Sequence, residues 1–399
     1  MKIAILSDAI YPFHHGGKET LQYERAVRLA QRGHAVRVHT MHWWRERHGE
    51  IIRDGFVLDA IAPRVRLYTR KGGRSIWESI VVGLGSLRLL WSPPFDVIDV
   101  DQFPFTPFFA AWLVCRLRHR PMTATWYEVW DRDYWREYMG WLGPVGFWLQ
   151  TFAARSADLV FADSALTARR LTRWLGVDSR RVIVLSPGVN PSPEPPSPES
   201  PSPASGGGQG GGLSRKMIDC IFIGRLLRHK HVDVFLHALA LLPGTTGLVV
   251  GSGPEKPRLE ALASQLGITD RVQFESPDTH DAVLARLRAS RLLVFPSTRE
   301  GFGVAVLEAA ASGVPSLVVQ HPDNAAVELV RHGENGLICN LHQQAMADEI
   351  RGYLADEALQ GRMSRVAQQR AATYTWDAYV NGMERALGSL VGTALDRAA

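Results

Sequence analysis

Short runs rich in valine, isoleucine and leucine alternate along this chain with longer stretches in which apolar residues recur every three or four positions. In the first half the runs are KIAILS (2–7), AVRVHT (35–40), DVIDVD (96–101), PMTATW (121–126), DLVFAD (158–163) and RVIVLS (181–186). A helical pattern over 18–32, closed by Gly33, separates the first two. The second half repeats the plan with MIDCIFIG (217–224), TGLVVG (246–251), RVQF (271–274), RLLVFP (291–296) and VPSLVV (314–319), and helical patterns over 346–371 and 376–390 follow. Near-continuous apolar runs read as strands buried on both faces, and strands that alternate with helices read as parallel β-α-β units.

One segment breaks the pattern. Residues 190–216, NPSPEPPSPESPSPASGGGQGGGLSRK, join a stiff proline-serine repeat to a flexible glycine run, and neither can bury enough surface to fold. It predicts a linker between two doubly wound α/β domains. Open sheets of this kind bind ligands at the carboxyl ends of their strands, so a cleft between the halves is the expected site.

Composition narrows the class. With 399 residues, 46% of them hydrophobic and 21% charged, the chain has the size of two domains and the balance of an ordinary soluble protein. No apolar run has the length of a membrane-spanning helix, and the opening MKIAILSDAIYPF reads as a first strand, not as a leader peptide. Three scattered cysteines suggest neither disulfides nor a zinc site, and imply a reducing cytoplasm. Charge is uneven: residues 1–190 hold 26 Lys+Arg against 18 Asp+Glu and eleven of the twelve tryptophans, while the remainder holds 19 against 22. Two readings follow, a solvated basic surface over an aromatic core or a face that meets anionic lipid. The positive excess is modest and no nucleic-acid motif is present, so nucleic-acid binding is set aside.

Three stretches, each just after a predicted strand of the second half, suit a polyanion. GRLLRHK (224–230) offers Arg225 and Lys230 on one loop. VGSGPE (250–255) ends a strand with two glycines, including Gly253, that allow close backbone approach. REGFGVAVLEAA (299–310) follows RLLVFP, and its glycines should open a helix whose free N–H groups welcome an anion. Within it Glu308 is a carboxylate in an apolar run, costly unless something binds it. Together they predict a diphosphate site built without metal.

In this order and spacing, GRLLRHKHVDVFLHALA, VGSGPE and PSTREGFGVAVLEAAASGVPSLV resemble the C-terminal half of the retaining glycosyltransferases of family four, which have the GT-B fold. In the first half YPFHHGGKETLQYERAVRLAQRGHAVRVHT, SADLVFADSALTARRL and VLSPGVN are similar to that family too, so the resemblance covers nearly the whole chain outside the linker. It implies a GT-B architecture of two Rossmann-like domains facing each other across a cleft. Its expected divisions are an acceptor domain at 1–189, the linker at 190–216, a nucleotide-sugar domain at 217–372, and a helix at 373–399 that packs back on the first domain. The family's paired glutamates, seven residues between them, match Glu300, beside the donor sugar, and Glu308, which accepts hydrogen bonds from ribose hydroxyls. Arg225 and Lys230 match cations on the diphosphate, and the backbone N–H groups of Phe302, Gly303 and Val304 match contacts to sugar and phosphate. Gly16 and Gly17 match a loop that closes over the reacting centre.

The implied activity is transfer of a sugar from a nucleotide-diphosphate donor to a glycan, lipid-linked or small-molecule acceptor, with retention of configuration and with no metal or other cofactor. A cytoplasmic enzyme is expected, with peripheral contact to the inner face of an anionic membrane as an open possibility. One position departs from the family. Relatives often have histidine where Tyr127 stands, near donor sugar and acceptor, and a tyrosine is a poor general base at neutral pH. A catalytically weak or inactive nucleotide-sugar-binding relative is therefore the alternative. Two further readings carry less. Asp99 and Asp101 form a D-V-D that imitates a metal-binding D-x-D, but fits a strand end carrying turn-favouring aspartates better. A nicotinamide enzyme would need G-x-G-x-x-G after the first strand, where this chain has SDAIYPFHHGG. His14, His15, His229 and His231 show no ligand spacing and read as surface or supporting groups.

Overall fold

A computed structural model describes residues 1–14, 16–46, 49–67, 75–190, 218–276 and 279–398. His15 and all but the first residue of the 190–216 segment lie outside them. The chain forms two compact units, one of residues 1–188 and 375–399, the other of residues 189–374.

In the first unit β1 (Lys2–Leu6), β2 (Ala35–Met41), β3 (Glu50–Arg53), β4 (Phe56–Ala62), β5 (Val97–Asp101), β6 (Met122–Trp126), β7 (Leu159–Ala162) and β8 (Val182–Val184) make one sheet of order β3-β4-β2-β1-β5-β6-β7-β8. Its pairings are parallel except β3 with β4. β5 and β6 are buried along their whole length, as strands covered on both faces must be. The β3–β4 hairpin was not anticipated. Its turn is Asp54-Gly55, both with positive φ (47° and 87°), the backbone that a two-residue Asp-Gly turn adopts.

The second unit holds β9 (Ile218–Ile223), β10 (Gly247–Val250), β11 (Val272–Glu275), β12 (Ser290–Phe295), β13 (Ser316–Val319) and β14 (Gly336–Cys339), all parallel, in the order β11-β10-β9-β12-β13-β14. The helical pattern over 346–371 is two helices, Gln343–Ala355 and Glu357–Ala371. Asp356 breaks it with extended backbone and caps the second helix, its Oδ1 accepting from the Leu359 N–H at 2.8 Å. The last helix, Trp376–Ala398, belongs to the first unit, where Trp376, Tyr379, Val380, Met383 and Leu387 join its core.

In both sheets the strand order reverses about one strand. β1 lies between β2 and β5, and β9 between β10 and β12. Leu6 pairs with Val100, so residues 7–8 and 101–102 leave the first sheet side by side. Ile221 pairs with Leu293 and Ile223 with Val250, which brings the loops after β9, β10 and β12 to one edge of the second sheet. Such reversal points leave a crevice that helices do not fill.

Candidate active site

Loops leaving that reversal point in the second unit carry Arg225, Lys230 and Arg299. Lys230 Nζ pairs with Glu300 Oε1, and the same ammonium lies 5.1 Å from the centre of the Phe295 ring at the end of β12. The loops are tied through backbone. The carbonyl of His229 accepts from the Thr298 N–H at 3.0 Å and from the hydroxyls of Ser297 and Thr298, each at 3.3 Å. His229 itself is no surface group. Burial, reinforced by the neighbouring charges of Arg299, Lys230, His231 and Arg225, pushes its imidazole down to about 3, so it stays neutral. Arg225, Lys230 and Arg299 are the cations whose charge acts on that ring.

The loop after β9 rests on the loop after β10. Leu226 N–H donates to Ser252 O at 2.9 Å, and Glu255 N–H donates to Leu226 O at 3.2 Å. A Cβ on Gly253 would stand 2.3 Å from Leu226 O, so only glycine permits this approach.

After β12 the chain turns into the helix Val304–Ala311. Its cap, Gly303, has φ 96° and ψ 52°, and no side chain caps the first turn. A Cβ there would lie 2.6 Å from Ala326 Cβ. Phe302 turns its ring into the core, 6.0 Å from the Tyr374 ring, which leaves its backbone as the group available to a ligand. Asn324 holds the turn: its Nδ2 donates to Ser297 O (3.0 Å) and Val319 O (2.8 Å) while its Oδ1 accepts from Ala326 N–H at 3.1 Å. Glu300 is fixed at backbone level, its N–H donating to Asp323 O and its carbonyl accepting from Ala325 N–H, both at 3.0 Å. Four residues into the helix region, Glu308 has a side chain 18% exposed and His280 Nε2 3.3 Å from its Oε1. Loss of water around the carboxyl pushes it up to about 7.

The first unit has a polar cluster of its own. Lys18 joins Asp8, and its Nζ is 3.2 Å from Asp101 Oδ2. Ser7 Oγ donates to the same oxygen at 2.5 Å. Tyr127 Oη donates to Asp101 Oδ1 at 2.8 Å and accepts from Gln22 Nε2 at 2.8 Å, while Gln22 also meets Asp101. Burial, then the Asp101 charge, raises Tyr127 well above the ordinary tyrosine value. The phenol keeps its proton and donates a hydrogen bond to Asp101. Asp99 binds Arg25 Nη2 (2.7 Å), Thr123 (2.6 Å) and Thr125 (2.8 Å), all buried. Both carboxylates of the D-V-D are thus spent on side chains of this unit. Gly17 starts the helix Gly17–Gln31, and Gly16 before it is crowded by Glu19, whose Oε2 would lie 2.2 Å from a Cβ.

The family model described as Glycosyl transferases group 1 matches residues 211–370, and that described as Glycosyltransferase Family 4 matches residues 15–193. A D-inositol 3-phosphate glycosyltransferase of Streptomyces griseus is 32% identical over 382 residues, 80% of this chain and 79% of that protein. The chain belongs to glycosyltransferase family 4. The same-named protein of Thermomonospora curvata is 33% identical to this family 4 chain over 240 residues, 56% of this chain and 55% of that one. Against it and two Streptomyces relatives the chain spans about half the length of the relative, 55%, 53% and 50%. The fold agrees with that membership. The sucrose-phosphate synthase of Thermosynechococcus elongatus superposes with a TM-score of 0.81 at 17% identity, covering 98% of this chain and 99% of that one. The Anabaena protein HepE, solved in complex with UDP, does so at 0.69 and 17% identity, covering 98% and 100%. The architecture is GT-B, two Rossmann-like α/β domains with parallel sheets.

Three contributors to the polar clusters of the two units, each taken by itself, escape a reading of the sequence. Arg299 adjoins Glu300 and adds to the charge around His229, and its place just before the first paired glutamate was a usable signal. Asn324 ties its turn to Ser297, 27 positions back, and Lys18 lies near Asp101, 83 positions on, and nothing local announces either.

Proposed function

We propose that the chain transfers a glycosyl group from a nucleoside-diphosphate sugar to an acceptor hydroxyl, with retention and without metal. One observation carries this reading. The charges that act on His229, the Lys230–Glu300 pair and the uncapped start of the helix Val304–Ala311 all belong to loops leaving one edge of the second sheet. Cations and a free helix N-terminus suit a diphosphate, and they stabilise it most as it departs and gains charge. Glu300 and Glu308 suit hydroxyls on either side of it, the sugar and the ribose. In the reaction the bond from the anomeric carbon to phosphate oxygen breaks, the acceptor oxygen bonds to that carbon on the same face, and its proton passes to the leaving phosphate. Metal independence is favoured because Asp99 and Asp101 are already engaged by Arg25, Lys18 and neighbouring hydroxyls. Three buried cysteines without disulfides suit a cytoplasmic reaction.

Calorimetry against UDP, GDP and ADP in the presence of EDTA tests the donor site, and turnover of the matching sugar tests transfer. Binding that survives EDTA is expected, and Lys230→Ala should reduce transfer about a hundredfold or more while leaving the thermal transition in place. Absence of binding by all three, or near-normal turnover of that variant, would overturn the reading.

A further inference from the structure

Three helices of the first unit, Ile76–Ser86, Phe105–Arg118 and Gly143–Ser156, connect strands that step in the same direction across the sheet, from β4 to β5, β5 to β6 and β6 to β7. Right-handed crossovers put all three on one face. They form a continuous layer: Ser79 Oγ meets Thr106 Oγ1 at 2.7 Å, and the Phe152 ring lies 5.5 Å from Phe109 and 5.7 Å from Trp112. Each buries an apolar stripe, such as Val82, Phe108 and Ala153, against the sheet.

A surface helix ordinarily turns its charged residues outward. These do not. On the first helix Ile76, Trp77 and Leu84 are exposed, Trp77 by 65%, and Trp91 just beyond is exposed by 80%. On the second, Leu113 and Leu117 stand one turn apart on the outside. Just before the third stands Trp141, 87% exposed, and the helix itself exposes Val145 and Trp148 at helical spacing. The exposed charge of these three helices is positive, while the helix Arg132–Met139 beside the third adds Asp133 and Glu137. From Ile76 to Leu90 and over the other two helices there are four arginines and a single acid, Glu78, which is fully buried. Arg88, Arg116 and Arg155 reach the surface, and between the second and third helices a groove of about 380 Å³ is lined by Trp112, Arg116, Trp148, Thr151, Phe152 and Arg155.

We infer that this face docks on an anionic lipid bilayer, with the tryptophans at the headgroup level and the exposed arginines against lipid phosphates. Apolar area on this scale marks a contact surface. Tryptophan settles at the membrane interface, and exposed arginines match negative headgroups. Attachment lies in the plane of the surface, because among the described residues no helix is long and apolar enough to cross a membrane. The inference does not depend on the donor reading.

Flotation of the full chain with phosphatidylcholine vesicles, with and without phosphatidylglycerol, tests it. The chain is expected to float with the anionic vesicles, with a blue shift of tryptophan emission, and far less with the neutral ones. Trp77→Ser with Trp148→Ser should weaken binding about tenfold or more. Arg88→Gln with Arg116→Gln should weaken it about fivefold per cation and remove the preference for anionic lipid. All four side chains are exposed or half-buried at the surface, so the thermal transition and UDP binding should be unchanged. If the tryptophan pair disturbs folding, Ile76→Ser with Leu117→Ser serves in its place. Failure to float with anionic vesicles, or equal flotation of every variant, overturns the inference. So does a concentration-dependent dimer in light scattering that the tryptophan variant abolishes, which would assign the face to a second copy of the chain.

Discussion

Glu308 holds its carboxyl where water is scarce, and that fixes how pH acts on it. Its folded value of about 7 lies above the ordinary 4.5, so the folded state holds the proton more tightly. The stability that this proton provides is complete below about pH 4.5 and is lost as pH rises to about 7. Allowing for partial exposure, the loss is about 2 kcal/mol. Glu308→Gln is therefore expected to raise stability at pH 8 by about 1–3 kcal/mol and leave it unchanged at pH 4, read from urea midpoints. If the ionised carboxylate accepts ribose hydroxyls, affinity for a nucleoside diphosphate rises between pH 6 and 8, and the glutamine variant flattens that slope. Tyr127 is a different case. A phenol whose proton is committed to Asp101 positions Asp101 and Gln22 instead of withdrawing a proton from an acceptor. Tyr127→Phe is expected to change kcat by less than about tenfold with no shift in its pH profile; a shifted profile would return the hydroxyl to the chemistry. The sequence shows that a tyrosine stands in the place of a histidine. It does not show the aspartate, 26 positions away, that accepts its hydrogen bond.

At the scale of elements, strands were legible wherever burial on both faces left an unbroken apolar run, as in β5 and β6. The edges were harder to read. β14 is four residues long, and β3 has alternating exposure, so neither makes such a run, although Asp54-Gly55 carries a hairpin signal of its own. The paired helices near the end were merged because one aspartate interrupts an otherwise continuous period. The turn at Gly303 was legible as a glycine-opened helix, but the reason for glycine came only with Ala326, which lies 23 positions further on. Gly303→Ala must take up left-handed backbone and push against Ala326 Cβ, which together cost about 2–4 kcal/mol. Chemical denaturation should show that loss, and Ala326→Gly in the same chain should recover the part due to overlap.

Across the whole molecule the chain passes between units twice, at 188–189 and at 374–375. The two crossings are adjacent, since Val189 N–H donates to Tyr374 O at 3.0 Å and a Cβ on Gly188 would lie 2.3 Å from Trp376 N. The returning helix is well held. Glu384 accepts from Arg32 Nη1 at 2.6 Å and lies 2.8 Å from His34 Nε2, and Arg28 stacks over Trp376 at 5.0 Å. Residues 190–216 were read as a linker, and past Asn190 they lie outside the described residues. That the last helix completes the opening half was carried by the family resemblance, because no local pattern says which core a terminal helix will join.

That return has a practical sequel. A protease site engineered into the proline, serine and glycine stretch would sever the polypeptide yet leave two pieces that still interlock, because the later piece carries the helix that finishes the earlier one. The nicked protein is expected to elute as a single species from size exclusion and to come apart only in denaturant. The two pieces, made separately, offer a split enzyme that reconstitutes when they are mixed.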